Sequence, residues 1–291
     1  MELLSDFKAF LSSIEPGSAD VTAAKAAHEK VRDELRTDSE SKEAHKETFL
    51  SGSYARSTAI KDINDVDVIC LLDIDTVTTA PELVLSWLQG ILSKYYKETR
   101  PQGRSVGAKA ANDVWLDIVP GVPIGTDDGP VKIPDREAQS WVASHPKGQI
   151  AAAISQNKAT DGLYVPVVKI TKAWRDRLSP ESARPKSYIL ETLVHKMIGH
   201  PTTYAGAVVS VLEGIEEKYG AFRGSNTVPF ISDPGYASVN VAKRWTSSEF
   251  DAFMWQVKVA ATVARKAFDS TDEKQSRALW QQLLGPAFGS G

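Results

Sequence analysis

Cysteine is nearly absent from this sequence of 291 residues, since Cys70 is the only one. A single cysteine excludes an intrachain disulfide and a cysteine-rich zinc site. No stretch approaches the ~20 apolar residues that span a bilayer, and the first residues lack the basic region of a signal peptide. We therefore expect a cytoplasmic protein with no membrane partner, in which Cys70 is a small buried hydrophobic residue.

The sequence also lacks an excess of positive charge, because 34 Lys and Arg residues face 37 Asp and Glu residues, for a formal net charge of −3. Proteins that coat nucleic acids depend on bulk positive charge, so we expect no required nucleic acid. Apolar residues make up 42% of the chain, which is typical of globular proteins. The length fits roughly two domains at ~150 residues each.

The N-terminal part has the pattern of a lobe that mixes helices and strands. Small and apolar residues at helical spacing over 19–48 predict one long amphipathic helix or a broken pair. Strands are predicted at 66–72 and at 114–119, the second stopped by Pro120. A helix is predicted between them over 80–98.

The sequence after this lobe is mostly helical in its pattern. Helices are predicted near 137–158, 163–178, 187–199, 203–219, 247–269 and 273–284. The expected fold class is α+β, with a catalytic lobe over 1–135 and a helical lobe over 136–291. A cleft between two such lobes is a common place for a ligand site.

Three aspartates lie in the two predicted strands among apolar residues. Asp65 and Asp67 are two positions apart, so their side chains share one face of the strand while Val66 and Val68 face the core. Asp117 lies on the polar face of the later strand. If the strands are neighbours, three carboxylates can converge, and their repulsion then calls for a cation such as Mg²⁺.

A Gly52-Ser53 turn precedes these aspartates, with Ser53 twelve residues before Asp65. Such a turn can present backbone N–H groups to a phosphate. Two metal ions ~3.5–4 Å apart can activate a hydroxyl and stabilise a leaving pyrophosphate. The reaction class that needs all these parts is nucleotidyl transfer. A lone pair of aspartates at this spacing is more often a solvated strand end, as we expect for Asp73 and Asp75.

The combined motifs resemble the DNA polymerase β-like nucleotidyltransferases. More narrowly, they resemble the bacterial cyclic GMP-AMP synthase/DncV-like nucleotidyltransferases (CD-NTases), which make nucleotide second messengers in antiphage defence. One departure is Ser57, where many members have glycine before the threonine. The matching stretches are Gly52-Ser53-Tyr54-Ala55-Arg56-Ser57-Thr58-Ala59-Ile60, Asn64-Asp65-Val66-Asp67-Val68 and Leu116-Asp117-Ile118-Val119-Pro120.

The resemblance implies a role for each motif residue. Gly52 and Ser53 would hold the donor phosphates, and Asp65 and Asp67 would bind both of two Mg²⁺ ions, with Mn²⁺ as an alternative. Asp117 would complete the acceptor-side metal and help to deprotonate the attacking hydroxyl. The implied product is a cyclic di- or trinucleotide made from NTPs, with ATP as the favoured substrate.

Residues 168–174 and 186–191 are similar to the nucleotide-clamping helices of the same family. By that resemblance Lys172 and Ser187 would contact the donor triphosphate, and Tyr188 would stack on a base. The alternatives are structural, namely a solvated lysine, a serine that caps a helix and a tyrosine in the core.

Two further stretches of the C-terminal half also resemble the family. Asp233-Pro234 and residues 240–245 match a recurrent segment, which we interpret as a turn and a helix start that packs Trp245. The C-terminal tail is similar to tails that are conjugated to other proteins in some members. Gly291 therefore permits a conjugating or regulatory partner at the tail.

Two other functions stay open at this point. A nucleotidyltransferase of the same superfamily that modifies tRNA or a small molecule, including toxin types, would carry the same motifs. The net charge of −3 argues against a polynucleotide acceptor. A nucleotide-binding sensor with degenerate chemistry belongs to a different class, and the presence of all three aspartates argues against it.

Overall fold

The computed structural model describes residues 1–61 and 65–290. Asn64 of the predicted motif and Gly291 of the predicted tail site lie outside the described residues. The helices are α1 (Leu4–Ile14), α2 (Ser18–Thr37), α3 (Gly52–Ala55), α4 (Pro81–Tyr95), α5 (Pro146–Ala159), α6 (Tyr164–Asp176), α7 (Ser187–Met197), α8 (Tyr204–Tyr219), α9 (Ser247–Asp269) and α10 (Glu273–Leu284). The strands are β1 (His45–Leu50), β2 (Asp65–Leu72), β3 (Thr99–Pro101), β4 (Val106–Lys109), β5 (Trp115–Pro123), β6 (Val131–Asp135), β7 (Ser140–Ser144), β8 (Ser232–Asp233) and β9 (Tyr236–Asn240).

The chain forms two compact units, which we call the sheet unit (Pro16–Ala151) and the helical unit (Met1–Glu15 with Ala152–Gly291). The helical unit is therefore discontinuous in sequence. No local pattern in α1 predicts that this first helix belongs with the C-terminal half. None of the described helices is both long and apolar enough to cross a membrane.

The sheet unit is built on a mixed sheet with the strand order β1-β2-β5-β4-β3. In addition, β6 pairs with β5, and β7 pairs with β6. β2 and β5 are parallel, and the remaining pairs are antiparallel. Apolar residues of α2 and α4 pack on one face of this sheet, against the buried side chains Val66, Val68, Leu116 and Ile118. The alternation of strand residues then directs the three aspartates to the opposite face, as the sequence predicts.

Three boundaries differ from the sequence-based expectations. α2 ends at Thr37 instead of running to residue 48, because the Asp38 carboxylate accepts the backbone N–H groups of Glu40 and Ser41 and turns the chain. The predicted helix over 137–158 is instead the strand β7 followed by α5, which begins at Pro146.

β5 also runs through Pro120 and does not stop there. Pro120 lies beyond the part of β5 that pairs with β4, which ends at Ile118, and before the part that pairs with β6, which starts at Val122. A proline that lacks an N–H donor therefore interrupts no ladder on that side.

The helical unit confirms the helices predicted from residue 163 onward to within a few residues. Their apolar faces enclose one core, to which α1 contributes Phe7, Phe10 and Leu11. The Phe7 ring meets Trp280 and Phe288 edge to face, with centroid distances of 5.0 and 4.8 Å.

Candidate active site

A single row of paired residues crosses four strands of the sheet unit. Arg100 of β3 pairs with Gly107 of β4, Gly107 pairs with Asp117 of β5, and Asp117 pairs with Asp67 of β2. Directly paired residues project from the same face of a sheet, and Asp65 shares the face of Asp67. The parallel pairing of β2 with β5 thus brings the three predicted carboxylates to one face.

The turn before β2 lies directly against this face. Gly52 has a φ of 62°, in the left-handed region that favours glycine, and a Cβ at this position would lie 1.7 Å from Oδ2 of Asp67. The backbone N–H of Ser51 donates to the carbonyl oxygen of Asp67. Position 52 therefore requires glycine for two reasons, its backbone conformation and its close approach to a carboxylate.

The remainder of this turn is closed by its own hydrogen bonds. The backbone N–H of Thr58 donates to the Ser53 carbonyl at 2.9 Å, and Thr58 is fully buried. Ser57 has a φ of 59°, so a residue other than glycine adopts a left-handed backbone in this turn.

Two side chains from the β3–β4 hairpin contact the carboxylates. Arg100 donates to Oδ1 of Asp65 at 3.0 Å and lies 3.8 Å from Oδ1 of Asp117. Gln102 donates to the same oxygen of Asp117 at 2.8 Å, and its own carbonyl oxygen accepts the hydroxyl of Ser105. The carboxylates are therefore held in place by a polar network.

The electrostatics of this face favour a cation. Burial and the negative charge of Asp65 raise the pKa of Asp117, while Arg100 and Gln102 act in the opposite direction. Carboxylate oxygens are the donors that divalent ions such as Mg²⁺ prefer. The donor chemistry and the crowding of like charges thus fit a divalent metal. Across residues 1–61 and 65–290, however, no three acidic, histidine or cysteine side chains lie close enough to form a metal-binding group.

The predicted clamp residues lie in the helical unit. Lys172 of α6 and Glu191 of α7 form an ion pair with an Nζ–Oε1 distance of 2.6 Å, and their side chains are only 3% and 1% exposed. Lys172 is therefore not the solvated lysine of the structural alternative. Its charge is compensated inside the protein.

Ser187 and Tyr188 occupy the first turn of α7. Arg175 donates to the hydroxyl oxygen of Ser187 at 2.6 Å. The Tyr188 hydroxyl donates to Oδ1 of Asp233 at 2.8 Å, and the same oxygen accepts the backbone N–H of Gly235. The roles of Lys172, Ser187 and Tyr188 in nucleotide binding stay predictions.

The segment around β8 and β9 contains the expected turn, but the helix expected over 240–245 begins only at Ser247, after the end of β9 and a second turn. Asp233, the last residue of β8, accepts the backbone N–H of Gly235 in the turn to β9, and Asn240 accepts the backbone N–H groups of Ile231 and Ala242. Trp245 is buried against Phe250 and Phe253.

Sequence reasoning missed Arg100, Gln102, Arg175 and Glu191. The first two reach the carboxylates only through the register of β3 and β4, which no local pattern reveals. Arg175 lies one helical turn after Lys172, and Glu191 one turn after Ser187. This i, i+3/i+4 spacing could have indicated that both belong with the clamp residues.

Comparisons with known proteins identify the family of the chain. Residues 1–157 match the Second Messenger Oligonucleotide or Dinucleotide Synthetase domain, SMODS. A cyclic AMP-AMP-AMP synthase from an Acinetobacter species is 34% identical over 298 residues, which covers 99% of this chain and 86% of the relative.

Solved structures match the same fold over nearly the whole chain. Escherichia coli CdnC with ATP has a TM-score of 0.82 at 20% identity, and its complex with HORMA-deltaN has a TM-score of 0.81 at 19% identity. Each match covers 98% of both chains. These likenesses confirm the α+β, polymerase β-like fold predicted from the motifs. The chain belongs to the SMODS family of second messenger oligonucleotide or dinucleotide synthetases, and it is a CD-NTase-type nucleotidyltransferase.

Proposed function

We propose that this enzyme joins ATP molecules into a cyclic oligonucleotide, with cyclic AMP-AMP-AMP as the product. The observation that carries the proposal is the register of the parallel strands, which pairs Asp67 with Asp117 and keeps Asp65 on the same face. The product is inferred from the relative named cyclic AMP-AMP-AMP synthase, which is 34% identical to this chain. If the enzyme made a cyclic dinucleotide or a product with another base, the proposed product would be wrong.

In the proposed mechanism the sheet unit supplies the reacting groups. Asp65 and Asp67 would hold two divalent ions, Mg²⁺ or Mn²⁺. Asp117 would be a further ligand of the ion on the side of the acceptor hydroxyl. Such ions, when bound, activate a hydroxyl and stabilise the charge of a leaving pyrophosphate. Asp117 accepts the proton of the attacking hydroxyl, and the backbone at Gly52 and Ser53 holds the donor phosphates.

The helical unit would bind the nucleotide. Lys172 would donate to the triphosphate while Glu191 fixes the position of its ammonium group, and Ser187 would add a hydroxyl with Arg175 beside it. Tyr188 would offer its ring to a base, a contact of the kind that contributes ~1–3 kcal/mol. Its hydroxyl bond to Asp233 would hold the ring in one orientation.

The test is to incubate the purified protein with labelled NTPs and Mg²⁺ and to identify the phosphatase-resistant products. Digestion with a linkage-specific nuclease and mass measurement then give the bases, the linkage and the ring size. We expect ATP alone to support a cyclic product. If label appeared only in added tRNA or in a small-molecule acceptor, the alternative nucleotidyltransferase function would hold instead.

The matched variants are Asp65→Asn/Asp67→Asn and Asp73→Asn. The double variant removes two carboxylates from the proposed metal site, and a loss of several kcal/mol of transition-state stabilisation lowers turnover by about a thousandfold or more. Asp73 lies just beyond β2 and is exposed, so its variant should keep full activity. Turnover like that of the wild type in the folded double variant would contradict the assignment.

The proposal extends to the setting of the enzyme. The Escherichia coli complex of CdnC with HORMA-deltaN supports a regulatory protein partner for this chain as well. A role in antiphage defence, action in the cytoplasm and a partner at the C-terminal tail remain parts of the proposal that rest on the family resemblance.

A further inference from the structure

Arg100 lies over the proposed metal-binding carboxylates as a cation that belongs to the chain itself. One of its terminal nitrogens is 3.0 Å from Asp65 and 3.8 Å from Asp117. A divalent ion at these carboxylates and the Arg100 guanidinium would neutralise the same negative charge.

The position of Arg100 depends on the absence of a side chain at Gly107. Gly107 lies between Arg100 and Asp117 in the paired row, and a Cβ on Gly107 would lie 2.7 Å from Cγ and 2.8 Å from Nε of Arg100. The three heavy atoms nearest to that Cβ all belong to Arg100. Glycine at 107 therefore allows the arginine to cross β4 and reach the carboxylates.

Trp115 supports the guanidinium in this place. The Arg100 Cζ lies 4.0 Å from the centre of the Trp115 ring, a distance typical of a cation–π contact. Trp115 pairs with Asp65 in the register of β2 and β5. The Nε of Arg100 is buried and has no hydrogen-bond partner in the described part of the chain. The arginine is thus held by the carboxylates and the ring while one of its own donors stays unsatisfied.

We propose that Arg100 is an internal counter-cation that offsets part of the negative charge of Asp65 and Asp117 until a divalent ion displaces it. Arg100 thereby lowers the affinity of the enzyme for free divalent ions. The inference rests on the proposed metal role of these aspartates. Arg100 is then a positioning residue, because it determines the concentration of divalent ion at which Asp65 and Asp117 bind a metal. Its loss should raise the affinity for the ion, in contrast to the loss of a metal ligand.

The experiment measures the affinity of the intact protein for Mn²⁺ without nucleotide, from the electron paramagnetic resonance signal of free Mn²⁺. We expect Arg100→Gln to bind Mn²⁺ about tenfold more tightly, since one charge-assisted contact no longer has to break. Gly107→Ala keeps the charge but pushes the arginine aside, and it should tighten binding in the same direction. Thermal unfolding establishes that each variant folds.

Lys109→Gln is the matched control for net charge. Lys109 pairs with Trp115 in the register of β4 and β5. Its ammonium contacts Glu98 and Asp113, and not the carboxylates that Arg100 contacts. Lys109→Gln should change the affinity for Mn²⁺ by less than threefold relative to the wild type. Equal tightening in Lys109→Gln and Arg100→Gln, or unchanged affinity in Arg100→Gln or in folded Gly107→Ala, would overturn the inference. Unchanged Mn²⁺ binding after Asp67→Asn in the otherwise wild-type protein would instead overturn the proposed metal site.

Discussion

The two units treat their charged side chains in opposite ways. In the sheet unit, Asp65 and Asp117 carry charges of one sign, and their side chains are 49% and 17% exposed. In the helical unit, Lys172 and Glu191 carry opposite charges and are almost fully buried. The first arrangement contains repulsion that the single positive charge of Arg100 relieves only in part, and the second is neutral as a pair.

This difference indicates that the charges proposed for catalysis and the charges that stabilise the fold lie in different units. Removing a carboxylate from the exposed face takes away repulsion as well as a ligand, so the fold loses little. Removing one partner of the buried pair takes the compensating charge away from the other, and proteins tolerate a buried charge without its counter-charge poorly.

The largest effect is expected for Lys172→Met. The variant takes the Lys172 ammonium away from the buried Glu191 carboxylate, which should lower the free energy of unfolding by about 3–5 kcal/mol. Lys172→Met/Glu191→Met removes both charges and should recover most of that loss. Denaturant unfolding measures both variants, and Asp65→Asn/Asp67→Asn should differ from the wild type by less than about 1 kcal/mol.

The same double methionine variant separates folding from nucleotide binding. If Lys172 also contacts the triphosphate, the folded double variant should bind ATP with Mg²⁺ roughly ten- to a hundredfold more weakly. Binding like that of the wild type would leave Lys172 with a structural role alone.

The next largest effect is expected for Gly52→Ala. Its Cβ would collide with the Asp67 carboxylate, so we expect turnover to fall by about a hundredfold, as for other displaced catalytic groups. Gly125→Ala is the control, because Gly125 also has a positive φ, 86°, but open space around it. Both variants lose about 1 kcal/mol of stability to backbone strain. Equal turnover in the two variants would show that the contact with Asp67 does not matter.

A smaller effect concerns the apolar face of the strand that carries Asp65 and Asp67. Cys70 is 1% exposed, and burial raises the pKa of its thiol to about 12. Alkylation at pH 8 should therefore be more than about tenfold slower in the folded protein than in denaturant. Because the folded pKa is the higher one, the stability contributed by the protonated thiol is complete below about pH 9 and is lost as the pH rises towards 12. Equal alkylation rates in the two states would contradict this burial.

The smallest effect is expected for Ser57→Gly. Ser57 has a left-handed backbone, so glycine relieves strain but adds freedom to the unfolded chain. We expect the free energy of unfolding to rise by up to about 1 kcal/mol. A clear loss of stability in denaturant unfolding would mean that the serine side chain contributes contacts of its own.

The strands that carry the carboxylates could be predicted from the sequence because their signal is local. Val66 and Val68 alternate with Asp65 and Asp67, so the buried and polar faces follow from the two-residue period. The end of α2 was not predictable in this way, since it depends on the capping of a turn by Asp38. The pattern before that turn carries no sign of where the helix stops.

The contacts of the site depend on long-range register, and for that reason the sequence could not predict them. Arg100 reaches Asp65 across 35 positions of sequence, and only the pairing of β3, β4 and β5 places it there. The contact between Lys172 and Glu191 could not be predicted for the same reason. The two residues are 19 positions apart, and they meet only because their helices pack together. Motifs predicted the chemical groups, and tertiary packing decided what each group touches.

The discontinuous helical unit has a consequence for the order in which the chain can fold during synthesis. α1 is synthesised before the sheet unit, yet two of the rings that contact Phe7 belong to Trp280 and Phe288, which are synthesised after it. The sheet unit is continuous and can complete its core while translation proceeds. The contacts of Phe7 with Trp280 and Phe288 form only after both residues have been synthesised, so the apolar face of α1 stays incompletely covered until then.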